Sequence, residues 1–230
     1  MQAHPLDRPV WNALRTRQRS LAEGDARALR LGADYGIFAA AADDAPESLA
    51  ALAGLLPTKG QLALVEAGST PAIPGAVVQS QALIWQMVAE TNSLAQAPAD
   101  FEAAALGEAD APQMLALASL TRPGPFFVRT HRFGGFIGLK RDGRLLAMAG
   151  ERLRPQGFTE VSGVCTQPDC RGRGYAGALM RLVVARILAR GETPFLHSYA
   201  HNTGAIDLYR SIGFVLRRQV SMTVLETAPD

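Results

Sequence analysis

The feature that most constrains this chain is the run from Val164 to Ala176, in which an apolar strand pattern passes through Gln167-Pro168-Asp169 into Arg171-Gly172-Arg173-Gly174 and then into a long helical pattern. A strand-to-helix junction gathers free backbone N–H groups at the positive end of the helix dipole, where a pyrophosphate is best stabilised. Gly172 and Gly174 carry no side chain to hold phosphates away, and they permit the dihedrals that turn several N–H groups inward. Arg171 or Arg173 can add a charge-assisted bond.

Three kinds of phosphate-binding loop fit such a junction. A Walker loop requires a Gly-Lys-Ser/Thr ending, which this run lacks. Gly172, Gly174 and Gly177 do meet the G-x-G-x-x-G spacing of a dinucleotide site. That fingerprint, however, follows its strand at once and opens a large parallel sheet; here Pro168 and its neighbours intervene and only Ala178 to Asp230 follows. No acidic residue ends the next strand either, since Glu192 precedes Pro194.

The third kind fits best. Arg171-Gly172-Arg173-Gly174-Tyr175-Ala176 resembles the Gln/Arg-x-x-Gly-x-Gly/Ala signature of the GNAT superfamily of N-acetyltransferases, and Val164-Cys165-Thr166-Gln167-Pro168 resembles the strand and turn before it. Asn202, Ala205, Leu208, Tyr209, Gly213 and Phe214 resemble the family's second block, Asn-x-x-Ala-x-x-Leu-Tyr-x-x-x-Gly-Phe. The likeness spans roughly residues 108 to 226. A first half without a cofactor loop, placed before an active half, is similar to the glycine N-acyltransferase-like branch.

Around these blocks the chain reads as a mixed α/β (α+β) protein, a mostly antiparallel sheet flanked by helices. Helices are expected over Ala13–Leu31, Pro46–Leu56, Asp110–Leu120, Phe126–Arg132, the segment after Gly174 and Thr203–Ser211. Strands are expected over Tyr35–Ala40, Gln61–Ala67, Gln81–Ala89, Phe136–Lys140, Arg144–Arg152, Thr159–Thr166, Pro194–Tyr199 and, as one or two, Phe214–Leu225. Asp142-Gly143 is the strongest hairpin signal. Leu179, Leu182, Val183 and Ile187 mark the buried face of the helix after the loop. The Ala-rich, polar stretch Thr91–Gly107 reads as a division near residue 100, with 1–100 a smaller α/β half and 101–230 the acetyl-CoA-binding half, or alternatively as a long connecting helix.

Composition narrows the partners. Twenty-three basic and 21 acidic residues leave a net charge of +2 with no basic run, which argues against nucleic acid or an anionic membrane as partner. Without a signal-like start or a run of apolar residues of spanning length, a cytoplasmic location is expected. Cys165 and Cys170 lack zinc-site spacing and read as reduced, structural thiols, so no metal is expected.

The resemblance implies acetyl-CoA as co-substrate and a primary amine of a small molecule, amino acid or peptide as acceptor, in a chain able to form a homodimer. Val164, Cys165 and Thr166 would lie along pantetheine, and Arg171, Gly172, Arg173, Gly174, Tyr175 and Ala176 around the pyrophosphate. Asn202 would lie near the coenzyme, and Tyr209 would be the acid that protonates the departing thiolate, a role suited to a neutral phenol. Glu160 is one expected base, if burial raises its pKa; a solvent-exposed strand glutamate is the alternative. His197 competes for the role, with Glu151 third. A module that binds acyl-CoA without turnover, as sensor or scaffold, is the non-enzymatic alternative.

Overall fold

The structure is a computed structural model and describes residues 4–91 and 101–229. A short helix α1 (Pro9–Leu14) leads into β1 (Ala22–Gly24), β2 (Ala28–Leu31) and β3 (Ala39–Ala41), which pair as a small antiparallel sheet. Helix α2 (Pro46–Ala53) follows, then β4 (Leu62–Glu66), β5 (Ala76–Val88), β6 (Ala103–Ala105) and α3 (Ala111–Thr121). The remainder is β7 (Ile137–Arg141), β8 (Arg144–Glu151), β9 (Phe158–Thr166), α4 (Tyr175–Ala189), β10 (Thr193–Tyr199), α5 (Thr203–Ile212) and β11 (Val215–Thr227).

Eight strands form one sheet in the order β4-β11-β5-β10-β9-β8-β7-β6, in which every neighbouring pair is antiparallel except β9–β10. Strands β4 and β5 come from the first hundred residues, and β5 lies between β11 and β10. Backbone hydrogen bonds therefore join the two sides of residue 100. The expected division at residue 100 itself falls in the segment 92–100, outside the described residues.

Alternation along the strands sorts the core into two layers. Leu196, Met87, Ala147 and Val161 face α4, which buries Leu179, Met180, Val183, Val184 and Ile187 against them. Phe195, Ile84 and Val220 face the other way, under α1 and the small sheet. Helix α3 sits on that second side, packing Met114, Leu117 and Ala118 on Met148 and Cys165. Leu182 faces outward, 38% exposed, and is not part of the buried face of α4.

The Asp142-Gly143 hairpin forms as expected, with both residues at positive φ (51° and 75°) as a type I′ turn requires. The helix expected over Ala13–Leu31 does not form beyond Leu14. Gly24 adopts φ 107°, where a Cβ would stand 2.2 Å from the Ala28 carbonyl, so the chain reverses there and β2 buries Ala28, Leu29 and Leu31. Tertiary burial overrides the helical preference of an Arg-, Leu- and Ala-rich stretch. Nor does Phe126–Arg132 form a helix. The Thr130 hydroxyl accepts from the Phe127 amide (2.7 Å) and donates to the Tyr35 carbonyl (2.9 Å), tying this stretch to a neighbouring loop, and only a 3-10 turn, Thr130–Phe133, results. The closing segment is one long strand.

Candidate active site

Strands β9 and β10 pair only at Phe158–Thr193, Thr159–Pro194 and Glu160–Phe195, then part company. On its other side β9 pairs with β8 across a bulge: Cys165 faces Met148 and Ser162 faces Gly150, so β9 holds one residue more than β8 between these pairs. Gly163 sits in it with φ 63°, and a Cβ there would lie 2.8 Å from the Phe136 ring. The bulge shifts the alternation, so that Val161 and Val164 both face the α4 layer while Cys165 faces α3. A glycine inside a strand pattern is the signal that would have found it.

The opening fork is the floor of a cavity of about 760 Å³ that runs from the glycine loop to Tyr209. All eleven residues expected at the coenzyme line it: Val164, Cys165, Thr166, Arg171, Gly172, Arg173, Gly174, Tyr175, Ala176, Asn202 and Tyr209. Gly172 and Gly174 both adopt positive φ (76° and 78°). Gly174 is the N-cap of α4 and offers no side-chain cap, so the amides of Ala176 and Gly177 keep no partner among the described residues. Nothing stands within 4 Å of a Cβ placed on Gly172, and the Arg171 and Arg173 side chains are exposed and unpaired among the described residues. Donor-rich, open and positively charged, this end suits a pyrophosphate. A bidentate ion pair from Arg144 to Asp169 (2.8 and 3.0 Å) braces the turn leading into it.

At the far end, the Tyr209 hydroxyl makes no hydrogen bond to any described residue, and burial pushes its pKa up, which keeps the phenol protonated. Its ring is held edge-on to Phe214, with centroids 6.3 Å apart. Asn202 precedes α5 but makes no capping bond; it lines the cavity instead. Cys165 is buried, and burial pushes its thiol up to about 11 although the Thr121 side chain opposes it, so it is no nucleophile. Both cysteines are free. Among the described residues no His, Cys, Asp and Glu group could hold a metal ion, and no helix is long and apolar enough to cross a membrane.

The three candidate bases are all engaged. Glu160 is fully buried rather than exposed, and its pKa is lowered rather than raised: burial pushes it up, but the Arg152 guanidinium and then His197 outweigh that. Arg152 donates from Nε and Nη2 at 2.9 and 2.7 Å, and the Leu153 amide adds a longer bond. His197 Nδ1 lies 2.8 Å from the same carboxylate. Gln86 settles the His197 tautomer, because its Oε1 accepts from Arg217 (2.7 Å) and its Nε2 is therefore the group 3.1 Å from His197 Nε2. His197 thus accepts at Nε2 and donates from Nδ1. Glu151 is 3% exposed and pairs with Arg190 at 2.9 Å. His197 lines the cavity; Glu160 and Glu151 do not.

A second cavity, of about 300 Å³, adjoins the first. The two share Arg122, Pro123, Arg152, His197, Asn202 and Tyr209, while Phe38, Val65 and Ile84 of the first hundred residues wall the second. Sequence reasoning missed Arg152, which lines both cavities, and Gln86, which holds His197, because no motif links residues so far apart in the chain.

The family model for FR47-like proteins matches residues 136–223, the stretch from β7 through β11 that forms the fork and the loop. No curated protein matches. A solved acetyltransferase from the GNAT family of Novosphingobium aromaticivorans DSM 12444 is 47% identical, covering 99% of this chain and 100% of its own, with a TM-score of 0.90. A GCN5-related N-acetyltransferase from Kribbella flavida (17% identical, 99% and 98% covered, TM-score 0.69) shares the fold. So does a GCN5-related N-acetyltransferase-like protein from Streptococcus suis 89/1591 (15%, 95% and 92%, TM-score 0.56). With the forked strands, the glycine loop and 47% identity over nearly its full length to one of its members, the chain belongs to the GNAT superfamily of acetyltransferases.

Proposed function

We propose that the protein transfers an acetyl group from acetyl-CoA to the primary amine of a small acceptor, an amino acid or a peptide. The single observation behind this reading is the continuous cavity that joins an anion-binding loop at one end to an unpartnered, protonated tyrosine at the other. The Gly172–Gly174 loop and the first amides of α4 would hold the pyrophosphate, with Arg171 and Arg173 beside it. The unpaired edge of β9 past Glu160 offers backbone groups to the pantetheine arm at Val164 and Thr166.

In the transfer, the neutral amine nitrogen forms a bond to the thioester carbon as the carbon–sulfur bond breaks. Tyr209 gives its proton to the departing sulfur and recovers one from solvent, while the amine's proton leaves to water at the open mouth. No side chain is assigned as base: Glu160 is held ionised by Arg152, and both His197 nitrogens are taken. Glu160 and His197 instead act as positioning residues, a clasp from β9 to β10 at the point where the strands part. The first hundred residues, whose lack of a cofactor loop underlies the likeness to the glycine N-acyltransferase-like branch, supply a wall of the acceptor chamber.

Acetyl-CoA consumption with a panel of amines, comparing the wild type with Tyr209→Phe, tests this reading. Turnover that falls about a hundredfold or more in the variant, with coenzyme affinity retained, supports it. Coenzyme binding with no turnover of any amine would favour a sensor or scaffold.

A further inference from the structure

The second cavity has a chemical character of its own. Its inner wall is apolar, built from Phe38, Val65, Ile84 and Met222, and no aspartate or glutamate lines it or the larger cavity beside it. Its volume is that of about ten waters at their liquid share. The arginines that line it are Arg152 and Arg122. Arg152 is committed, paired with Glu160 and resting over the Phe38 ring at 4.7 Å. Arg122 is exposed and its guanidinium has no partner among the described residues.

Arg122 also carries backbone strain. It ends α3 in the left-handed conformation (φ 50°, ψ 58°), the position where glycine is the usual choice. The one other described non-glycine residue at positive φ is Asp142, which its hairpin turn explains. Strain of this kind gathers at ligand sites. Pro123 follows directly, so the arginine is presented from a stiff support. Arg122 lines both cavities, and the smaller one contains none of the residues 171–176, so this charge also faces the space that adjoins Tyr209.

We propose that the smaller cavity takes an acceptor that combines an apolar body with a carboxylate, an apolar amino acid being the simplest example, and that Arg122 holds the carboxylate. The apolar body lies on Phe38, Ile84 and Met222, and the amine points towards Tyr209, which both cavities share. Polycationic amines are disfavoured because no carboxylate faces them and Arg122 repels them. This inference rests on the acetyltransferase reading above.

The test measures kcat/KM at saturating acetyl-CoA for L-phenylalanine, L-leucine, L-phenylalaninamide, 2-phenylethylamine and spermidine. The two acids are expected to exceed the uncharged-end analogues by about tenfold or more, the factor carried by one charge-assisted pair, with spermidine last. Arg122→Ala should erase that ratio mainly through KM, and Arg122→Glu should reverse it. Equal or inverted preference in the wild type overturns the carboxylate site and leaves acetyl transfer standing. So does an Arg122→Ala variant that loses coenzyme affinity by calorimetry while keeping the acid-to-amine ratio. Coenzyme binding without turnover of any of the five overturns the carboxylate site, and the same result across the wider amine panel overturns the acetyltransferase reading as well.

Discussion

Replacing Glu160 by glutamine changes the clasp between β9 and β10 with almost no change in shape, and so separates a catalytic carboxylate from a positioning one. In the wild type this fully buried carboxylate accepts two bonds from Arg152, one from His197 and a longer one from the Leu153 amide. A glutamine keeps one accepting oxygen but turns an NH2 group towards Arg152 or His197, both of which donate. It also leaves the Arg152 guanidinium, 12% exposed, without its counter-charge. Removing one partner of a buried pair costs about 3–5 kcal/mol, and the conservative shape places this change near 3. For a chain of this size that lowers the melting temperature by roughly 6–12 °C.

The same change alters the acid dependence of stability. The folded-state pKa of Glu160 lies below its ordinary 4.5, because Arg152 and His197 overcome the opposing effect of burial. Its stabilisation is therefore present above about pH 4.5 and is lost as the pH falls through the lower folded value. Glu160→Gln should melt at a lower temperature at neutral pH and show a shallower acid limb than the wild type. Measured well below its melting temperature, it should keep kcat within about tenfold, since loss of a general base costs about 10²–10⁴. A variant that melts like the wild type, or one whose kcat falls a hundredfold while its melting barely moves, would refute the positioning role.

Other outcomes follow from the same geometry. Tyr209→Phe should lower kcat about a hundredfold without weakening coenzyme binding, and because burial raises the Tyr209 pKa the wild-type rate should not decline on the alkaline side until above about pH 10. Gly174→Glu puts a carboxylate among the loop amides and should abolish coenzyme binding by calorimetry; unchanged affinity would refute the placement of the pyrophosphate. Gly163→Val is expected to collapse the bulge, since a β-branched residue at φ 63° also drives its Cβ into Phe136, and coenzyme affinity should fall together with melting temperature.

The glycine loop and its flanks were legible because their pattern is local. A pyrophosphate needs several N–H groups within one turn, so the glycines, the turn before them and the helix after them must be consecutive in the chain, and all eleven expected residues do line the cavity. The Asp142-Gly143 hairpin is equally local. What the sequence left open is what long-range packing decides. That β5 enters the sheet between β10 and β11, that Ala13–Leu31 gives up its helix to form a small sheet, and that Glu160 is locked between Arg152 and His197 all depend on contacts between distant residues. No short window of sequence holds both partners of those contacts. The smaller cavity is the extreme case, bringing Phe38, Arg122, His197 and Met222 together from four distant stretches. The sequence alone determined the glycine loop and the helix it opens, whereas only the tertiary structure decided the shape and charge of the cavity beyond the loop, because that space is bounded by side chains that meet only when the sheet closes.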